Sequence, residues 1–120
     1  MNGDELDQLP FGAIVIDRAG IVVKYNAYES QLSGMSRERV IGRHFFREIA
    51  PCAAVAAFEG RLHTFVDESA PVSTTFTYVF AFSTGPVDVA ITFVRLKRGE
   101  SVLIAVERIA DAAIIPATRL

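Results

Sequence analysis

Two β-branched runs stand close together near the start of the chain, Ala13-Ile14-Val15-Ile16-Asp17 and Ile21-Val22-Val23-Lys24-Tyr25, separated by Arg18-Ala19-Gly20. Runs joined by a short glycine-containing loop form a β-hairpin. Ahead of them, residues 4–9 are a polar lead-in of about one helical turn, closed by Pro10. Asn26 follows the second run as a natural N-cap, which predicts a short helix through about Leu32. Ser33-Gly34 ends that helix, Ser36 is placed to cap residues 37–41, and Gly42 punctuates again. Residues 26–60 therefore read as several short helices and not one long rod.

A longer helix is expected over about residues 53–65, with Ala57, Phe58, Leu62 and Phe65 as its apolar stripe. Gly60 weakens its middle by about 1 kcal/mol relative to alanine. Asp67-Glu68-Ser69-Ala70-Pro71 breaks it, and three long strands follow at residues 72–82, 87–96 and 101–109. Their connections are Ser83-Thr84-Gly85-Pro86 and Lys97-Arg98-Gly99-Glu100. In the first of these strands Phe76, Tyr78, Phe80 and Phe82 alternate with Thr75, Thr77, Val79 and Ala81, which places four aromatics on one face. The order predicts an α+β fold: a five-stranded antiparallel sheet with short helices and one longer helix packed on one face. Residues 1–109 form a single domain in this reading, and residues 110–120 are a tail of unassigned role.

At 120 residues, half of them apolar, the chain is long enough to bury a core of its own. A net charge of −2 with interspersed signs carries no electrostatic footprint for nucleic acid. No run reaches the ~18 apolar residues of a membrane span. The opening Met1-Asn2-Gly3-Asp4-Glu5 is polar where a signal peptide is apolar. With a single cysteine, these features fit a cytoplasmic protein.

That cysteine, Cys52, closes the stretch Gly42-Arg43-His44-Phe45-Phe46-Arg47-Glu48-Ile49-Ala50-Pro51-Cys52. Adjacent aromatics, a proline that locks the preceding backbone, and small residues after the sulfur suit a recessed, accessible thiol. A lone thiol forms no internal disulfide, which leaves packing, metal binding, nucleophilic attack or covalent attachment. Tyr25 and Glu29 flank a helix start four residues apart, a spacing that lets both face one pocket beside the strand end. Each taken alone is ordinary: a strand-end tyrosine and a solvated helical glutamate. His44 and His63 have no second cysteine and no clustered acids, so no metal site is expected. A cysteine enzyme would need a positioned base with an acid to orient it, and the sequence offers no evident acid for either histidine. The protein is not expected to be an enzyme.

With this order in place, the chain resembles the photoactive yellow protein family of PAS-domain blue-light receptors. The matching pieces are Leu9-Pro10-Phe11-Gly12-Ala13-Ile14, Tyr25-Asn26-Ala27-Tyr28-Glu29, Val40-Ile41-Gly42-Arg43-His44-Phe45-Phe46 and Ala50-Pro51-Cys52. Phe76-Thr77-Tyr78-Val79-Phe80 and the final Val106-Glu107-Arg108-Ile109 continue the match to residue 109. The resemblance implies a sensory photoreceptor that carries p-coumaric acid as a thioester on Cys52. It implies that Tyr25 and Glu29 bind the phenolic end of the chromophore. Ser33 stands where the family has a threonine supporting the tyrosine, and the resemblance implies that Phe45, Phe46, Ala50, Pro51, Phe80 and Phe82 line the pocket. Thr84 stands where a methionine assists return to the dark form. A buried phenolate needs donors at its oxygen, and a tyrosine hydroxyl and a protonated carboxyl both qualify. Glu29 is therefore expected to be neutral in the dark, then to give up its proton and drive partial unfolding.

The chain departs from the family pattern in four places. Met35 replaces an arginine that shields the phenolic end, Thr84 replaces the methionine, and Ala53-Ala54-Val55-Ala56-Ala57 replaces an acidic, threonine-containing stretch. Most of the family's N-terminal cap has no counterpart before Leu6. A sheet face left exposed by that difference would serve as a homodimer interface or as the docking surface for a downstream signalling protein. The competing reading is a PAS-domain sensor or interaction module that keeps the fold and binds no chromophore.

Overall fold

The computed structural model describes residues 3–51, 56–67, 73–82, 85–96 and 101–109. Of Asp4, Ala56, Ala57, Asp67, Phe80, Ala81 and Phe82 it describes the backbone alone. Strands β1 (Gly12–Asp17) and β2 (Val22–Tyr25) pair antiparallel, with a register shift between Val15 and Ile16. Strands β3 (Ser73–Phe82), β4 (Gly85–Leu96) and β5 (Ser101–Arg108) complete one antiparallel sheet in the order β2-β1-β5-β4-β3. The first and last strands of the chain are thus central neighbours, paired from Gly12 with Val106 to Asp17 with Ser101. Among the described residues no helix is long and apolar enough to cross a membrane.

Alternation divides the sheet into two faces. Ile14, Ile16, Ile91, Phe93, Ile104 and Val106 point inward and meet Val40, Phe45, Phe58, Leu62 and Phe65 from the helical segments in one buried core. The helical segments are α2 (Ala27–Ser33), α3 (Arg37–Val40), two π-helical turns at Phe45–Ile49 and Ala56–Gly60, and α4 (Arg61–Asp67). Phe58 is the hub of this core. Its ring lies 5.2 to 6.0 Å from those of Phe45, Phe46, Phe76, Tyr78 and Phe93, mostly edge-on.

Helices do not all lie on that face. The short α1 (Gly3–Asp7) puts Leu6 against the other side, where it joins Ala13, Val15 and Leu103 in a second, smaller core. Farther out on this face, Ser73, Thr75, Thr77 and Val79 of β3 are exposed.

Several boundaries differ from the sequence-based expectation. Ile21 is not part of β2; it forms a single bridge with His44, and residues 42–45 run along the free edge of β2. There Val22 donates to the Arg43 carbonyl and Phe45 to the Gly20 carbonyl. This added backbone covers a sheet edge that would otherwise be open for pairing. Gly85 and Pro86 belong to β4 and not to the turn. They pair with Phe82 and Ala81, while pairing of β4 with β5 begins only at Val89, so the missing proline N–H interrupts nothing on that side. Within the expected helix over 53–65, Ala56–Gly60 is π-helical and Gly60 marks the change to α4. The four residues 52–55 lie outside the described ones. Ser36 occupies the N-cap position of α3 without a side-chain cap bond.

Asn26 does more than cap α2. Its Oδ1 accepts from the Glu29 backbone and, at 2.9 Å, from Ala13 on β1. Its Nδ2 donates to the carbonyls of Leu6 and Phe11 at 2.8 and 2.9 Å. One buried amide therefore fastens α2 to α1, to β1 and to the link between them. Beside it, Asp7 accepts from the Ala27 backbone and forms a two-pronged pair with Arg37. At the other end, Gly34 takes the left-handed conformation (φ 77°) and its N–H closes onto the Ser30 carbonyl. Asn26→Ala is expected to cost about 3 kcal/mol, since it removes a cap and strands buried backbone groups. Urea unfolding measures this, and a loss under about 1 kcal/mol would contradict the role given to Asn26.

Candidate functional site

Tyr25, at the end of β2, and Glu29, on the first turn of α2, are each only 3% exposed. The Tyr25 hydroxyl lies 2.6 Å from Ser33 Oγ, and Ser33 Oγ also accepts from the Met35 backbone N–H. A serine oxygen that accepts from a backbone N–H can direct its own proton to the tyrosine oxygen. That arrangement leaves the phenolic proton of Tyr25 free for another acceptor. The Met35 side chain packs against the same core, and its carbonyl accepts from Ser30 Oγ, so the turn after α2 is held at both ends.

Glu29 Oε1 is buried and has no hydrogen-bond partner. Burial pushes its carboxyl up from the ordinary value to about 8. Burial also raises Tyr25 above the usual phenol range; the nearby Glu29 charge adds to this and the Ser33 bond opposes it. Both groups are thus protonated at neutral pH. They form a pair of buried proton carriers on adjoining elements.

The approach to Cys52 is built by a different device. His44 Nδ1 accepts from the Arg47 backbone N–H, while Glu48 accepts from the His44 backbone N–H, a reciprocal cap at the entrance to the Phe45–Ile49 turn. That cap, with help from Arg43, holds the Glu48 carboxyl below its ordinary range. The Ala50 N–H reaches back to the Phe45 carbonyl at 2.7 Å, the wide closure of a π-helix. This geometry turns Phe45 and Phe46 inward, rings 5.0 Å apart and edge to face, in the same core cluster as Tyr25 and Ala50.

The structure thus joins Tyr25 to Ser33, places Glu29 where its charge acts on Tyr25, and packs Phe45, Phe46 and Ala50 into the core that holds Tyr25. Pro51 is exposed and follows Ala50, where the backbone leaves helical geometry (φ −132°, ψ 67°). Cys52 and Thr84, and the side chains of Phe80 and Phe82, lie outside what is described. The other histidine, His63, is exposed and stands 3.7 Å from Glu59. A cavity of about 320 Å³ opens on the far side of Phe46, between the β1–β2 turn and α4, bordered by His44 and His63 but by neither Tyr25 nor Glu29. Among the described residues no group of three or more His, Cys, Asp or Glu side chains could hold a metal ion.

Two participants were not singled out as site residues from the sequence. Phe58 was assigned only to a helix stripe, yet it bridges Phe45 and Phe46 to the aromatic face of β3. Gly12 enters the sequence reading only within the family match, just ahead of the Ala13–Asp17 run, yet it lies directly against the Glu29 carboxyl. An aromatic surrounded by small residues, and a glycine opening an otherwise β-branched strand, were the signals available.

The Glu29 titration has a measurable consequence in the chromophore-free protein. From the unfolded value of about 4.5 up to about 8, the folded protein holds a proton that the unfolded chain has released. Stability is fully present below that window, falls by about 1.4 kcal/mol per pH unit within it and levels off above it. Glu29→Gln stays neutral, so its unfolding free energy should lack this slope. Parallel pH profiles of parent and variant in urea unfolding would contradict the raised value.

The chain matches the family described as PAS fold over residues 6–113. It is 38% identical to the photoactive yellow protein of Rhodothalassium salexigens over 109 residues, covering 91% of this chain and 86% of that one. It is 36% identical to that of Halochromatium salexigens with the same coverage. The photoactive yellow protein domain from the sensor histidine kinase Ppr of Rhodospirillum centenum superposes with a TM-score of 0.81 at 42% identity, over 89% of this chain and 93% of that one. A PAS domain of an HTR-like protein from Haloarcula marismortui, 19% identical with a TM-score of 0.67, shares the fold alone. By sequence and by fold, this chain belongs to the photoactive yellow protein family of PAS domains.

Proposed function

We propose that the protein is a blue-light photoreceptor that carries p-coumaric acid as a thioester on Cys52. The observation that carries this reading is the buried Glu29 Oε1 without a hydrogen-bond partner, on the helix beside a Tyr25 hydroxyl that lies 2.6 Å from Ser33 Oγ. Two buried donors of that kind fit a phenolate oxygen, because each unmet group gains a charge-assisted bond and the anion gains its partners. The aromatic wall of Phe45 and Phe46 suits a flat, apolar body between that oxygen and the cysteine. Phe80, Phe82, Pro51 and Thr84 are proposed to complete the lining.

When bound, the chromophore supplies visible absorption and a double bond that isomerises in light. The residues of the chain supply the rest. Tyr25, oriented by Ser33, and Glu29 stabilise the phenolate in the dark. Once that complementarity is lost, the Glu29 proton would pass to the phenolate oxygen it had been donating to, leaving Glu29 a carboxylate with no cation beside it. Such a buried charge costs several kcal/mol, enough to force local opening. The movement passes along the fastenings of α2: Asn26 ties it to Leu6 and Phe11, and Asp7 ties α1 to Ala27 and Arg37. Light would thereby loosen α1 from the outer sheet face, exposing Leu6, Val15 and Leu103 to a downstream signalling protein or a second copy of the chain.

Mixing the purified protein with activated p-coumaric acid should yield a blue-absorbing band, one thioester adduct by intact mass, and bleaching under blue light. The adduct should be lost in Cys52→Ala. A folded protein that forms no adduct would instead be a PAS-domain sensor or interaction module without the chromophore. In loaded protein Glu29→Gln should red-shift the band and blunt the structural change; an unchanged spectrum would remove Glu29 from this role. With Thr84 and Met35 in place of the usual methionine and arginine, dark recovery should be slow, and recovery within a fraction of a second would contradict that expectation.

A further inference from the structure

Glu29 Oε1 owes its seat to the absence of a side chain at Gly12. A Cβ built on Gly12 would stand 2.0 Å from Glu29 Oε1, 3.1 Å from its carboxyl carbon and 3.3 Å from its Cβ. The first distance is far inside any real contact, and the atom it meets is the buried oxygen that has no hydrogen-bond partner. The other two leave little room for the glutamate to turn about its own stem. Neither backbone is free to retreat. Gly12 is paired with Val106 of β5, and the next residue, Ala13, is bonded in both directions to Asn26. Glu29 itself is held by its N–H to Asn26 Oδ1. The same amide therefore anchors both sides of the contact, and any added volume must be absorbed by the carboxyl.

We propose that Gly12 is a positioning residue for the proton-carrying site: its bare α-carbon fixes where the Glu29 carboxyl stands, and a side chain there would displace that carboxyl from the interior. The inference deepens the photoreceptor reading, in which Glu29 serves the phenolic oxygen, yet the contact exists in the protein alone. Around Glu29, Tyr25 on β2 is the titratable neighbour whose energy the glutamate affects. Asp7 of α1 and Arg37 of α3 are bound to each other at the exposed side of α2. Gly12 and Ala13 of β1 contribute no charge. A change in the titration of Glu29 on substituting Gly12 would thus report displacement of the carboxyl and not the loss of a charged partner.

The test uses chromophore-free protein carrying ¹³C-labelled glutamate, with Glu29→Gln to assign the carboxyl signal. In the parent the Glu29 carbon should titrate near pH 8. In Gly12→Ala it should titrate well below that, toward the ordinary carboxyl range, as the group moves toward water. A coupled measurement keeps the test decisive if that variant folds poorly. Gly12→Ala should destabilise the parent in urea unfolding and cost much less in a Glu29→Ala background, where no carboxyl is left to meet the new methyl. An unchanged titration, or equal cost in both backgrounds, would overturn the proposal. So would a double variant that fails to fold when Glu29→Ala alone does fold, because the fault would then lie in the strand and not in the contact. None of these readouts involves p-coumaric acid, so failure here is separable from failure to form the adduct. In loaded protein, Gly12→Ala should in addition shift the absorption band.

Discussion

A carboxyl group enclosed by protein, with one buried oxygen that has no hydrogen-bond partner and lies against Gly12, is the constraint on which the site depends. In water a glutamate gains its stability from hydration. Here the fold removes that hydration and returns no donor, so the group keeps its proton. Every nearby feature serves to keep it there. Asn26 fixes the start of α2, Gly34 and the Ser30–Met35 bond fix its end, and Gly12 leaves the space. A short helix of seven residues has little stability of its own, and these fastenings supply what propensity does not.

The same economy explains how a local proton shift could be felt at a distance. The side chain that caps α2 also holds the carbonyls of Leu6 in α1 and of Phe11 just before β1, and Asp7 spans from α1 to α2 and α3. The inner core and the outer sheet face are therefore joined by polar contacts at one end of the molecule, while the remainder of the sheet is held by apolar packing around Phe58 and Phe93. Apolar packing tolerates a local opening nearby. A hydrogen-bonded junction does not, and it is where a change in Glu29 would propagate.

Much of this was legible in the sequence, because the signals were local. Alternation at 13–17 and 73–82, the glycine-punctuated hairpin, and Asn26 before Ala27 all act through neighbouring residues, and the strands and α2 follow from them. The pairing of Tyr25 with Ser33 was suggested by the family resemblance and meets a 2.6 Å contact. What the local signals do not carry depends on contacts between distant segments. The placement of Leu6 on the opposite sheet face, the second pair of bonds made by Asn26, and the fit of Glu29 over Gly12 arise only when α1, β1 and α2 converge. The π-helical turns escaped for a related reason: an extra residue per turn is set by what Phe45 and Phe58 must reach, and no propensity announces it.

The central claim is that Glu29 is a protonated acid in the dark and a carboxylate after light. Infrared difference spectroscopy of the loaded protein, illuminated minus dark, measures it most directly. The expected result is loss of one protonated-carboxyl stretch on illumination, absent from the difference spectrum of Glu29→Gln, with a carboxylate band gained in its place. A parent spectrum with no protonated-carboxyl band lost, or one that persists unchanged in Glu29→Gln, would contradict it.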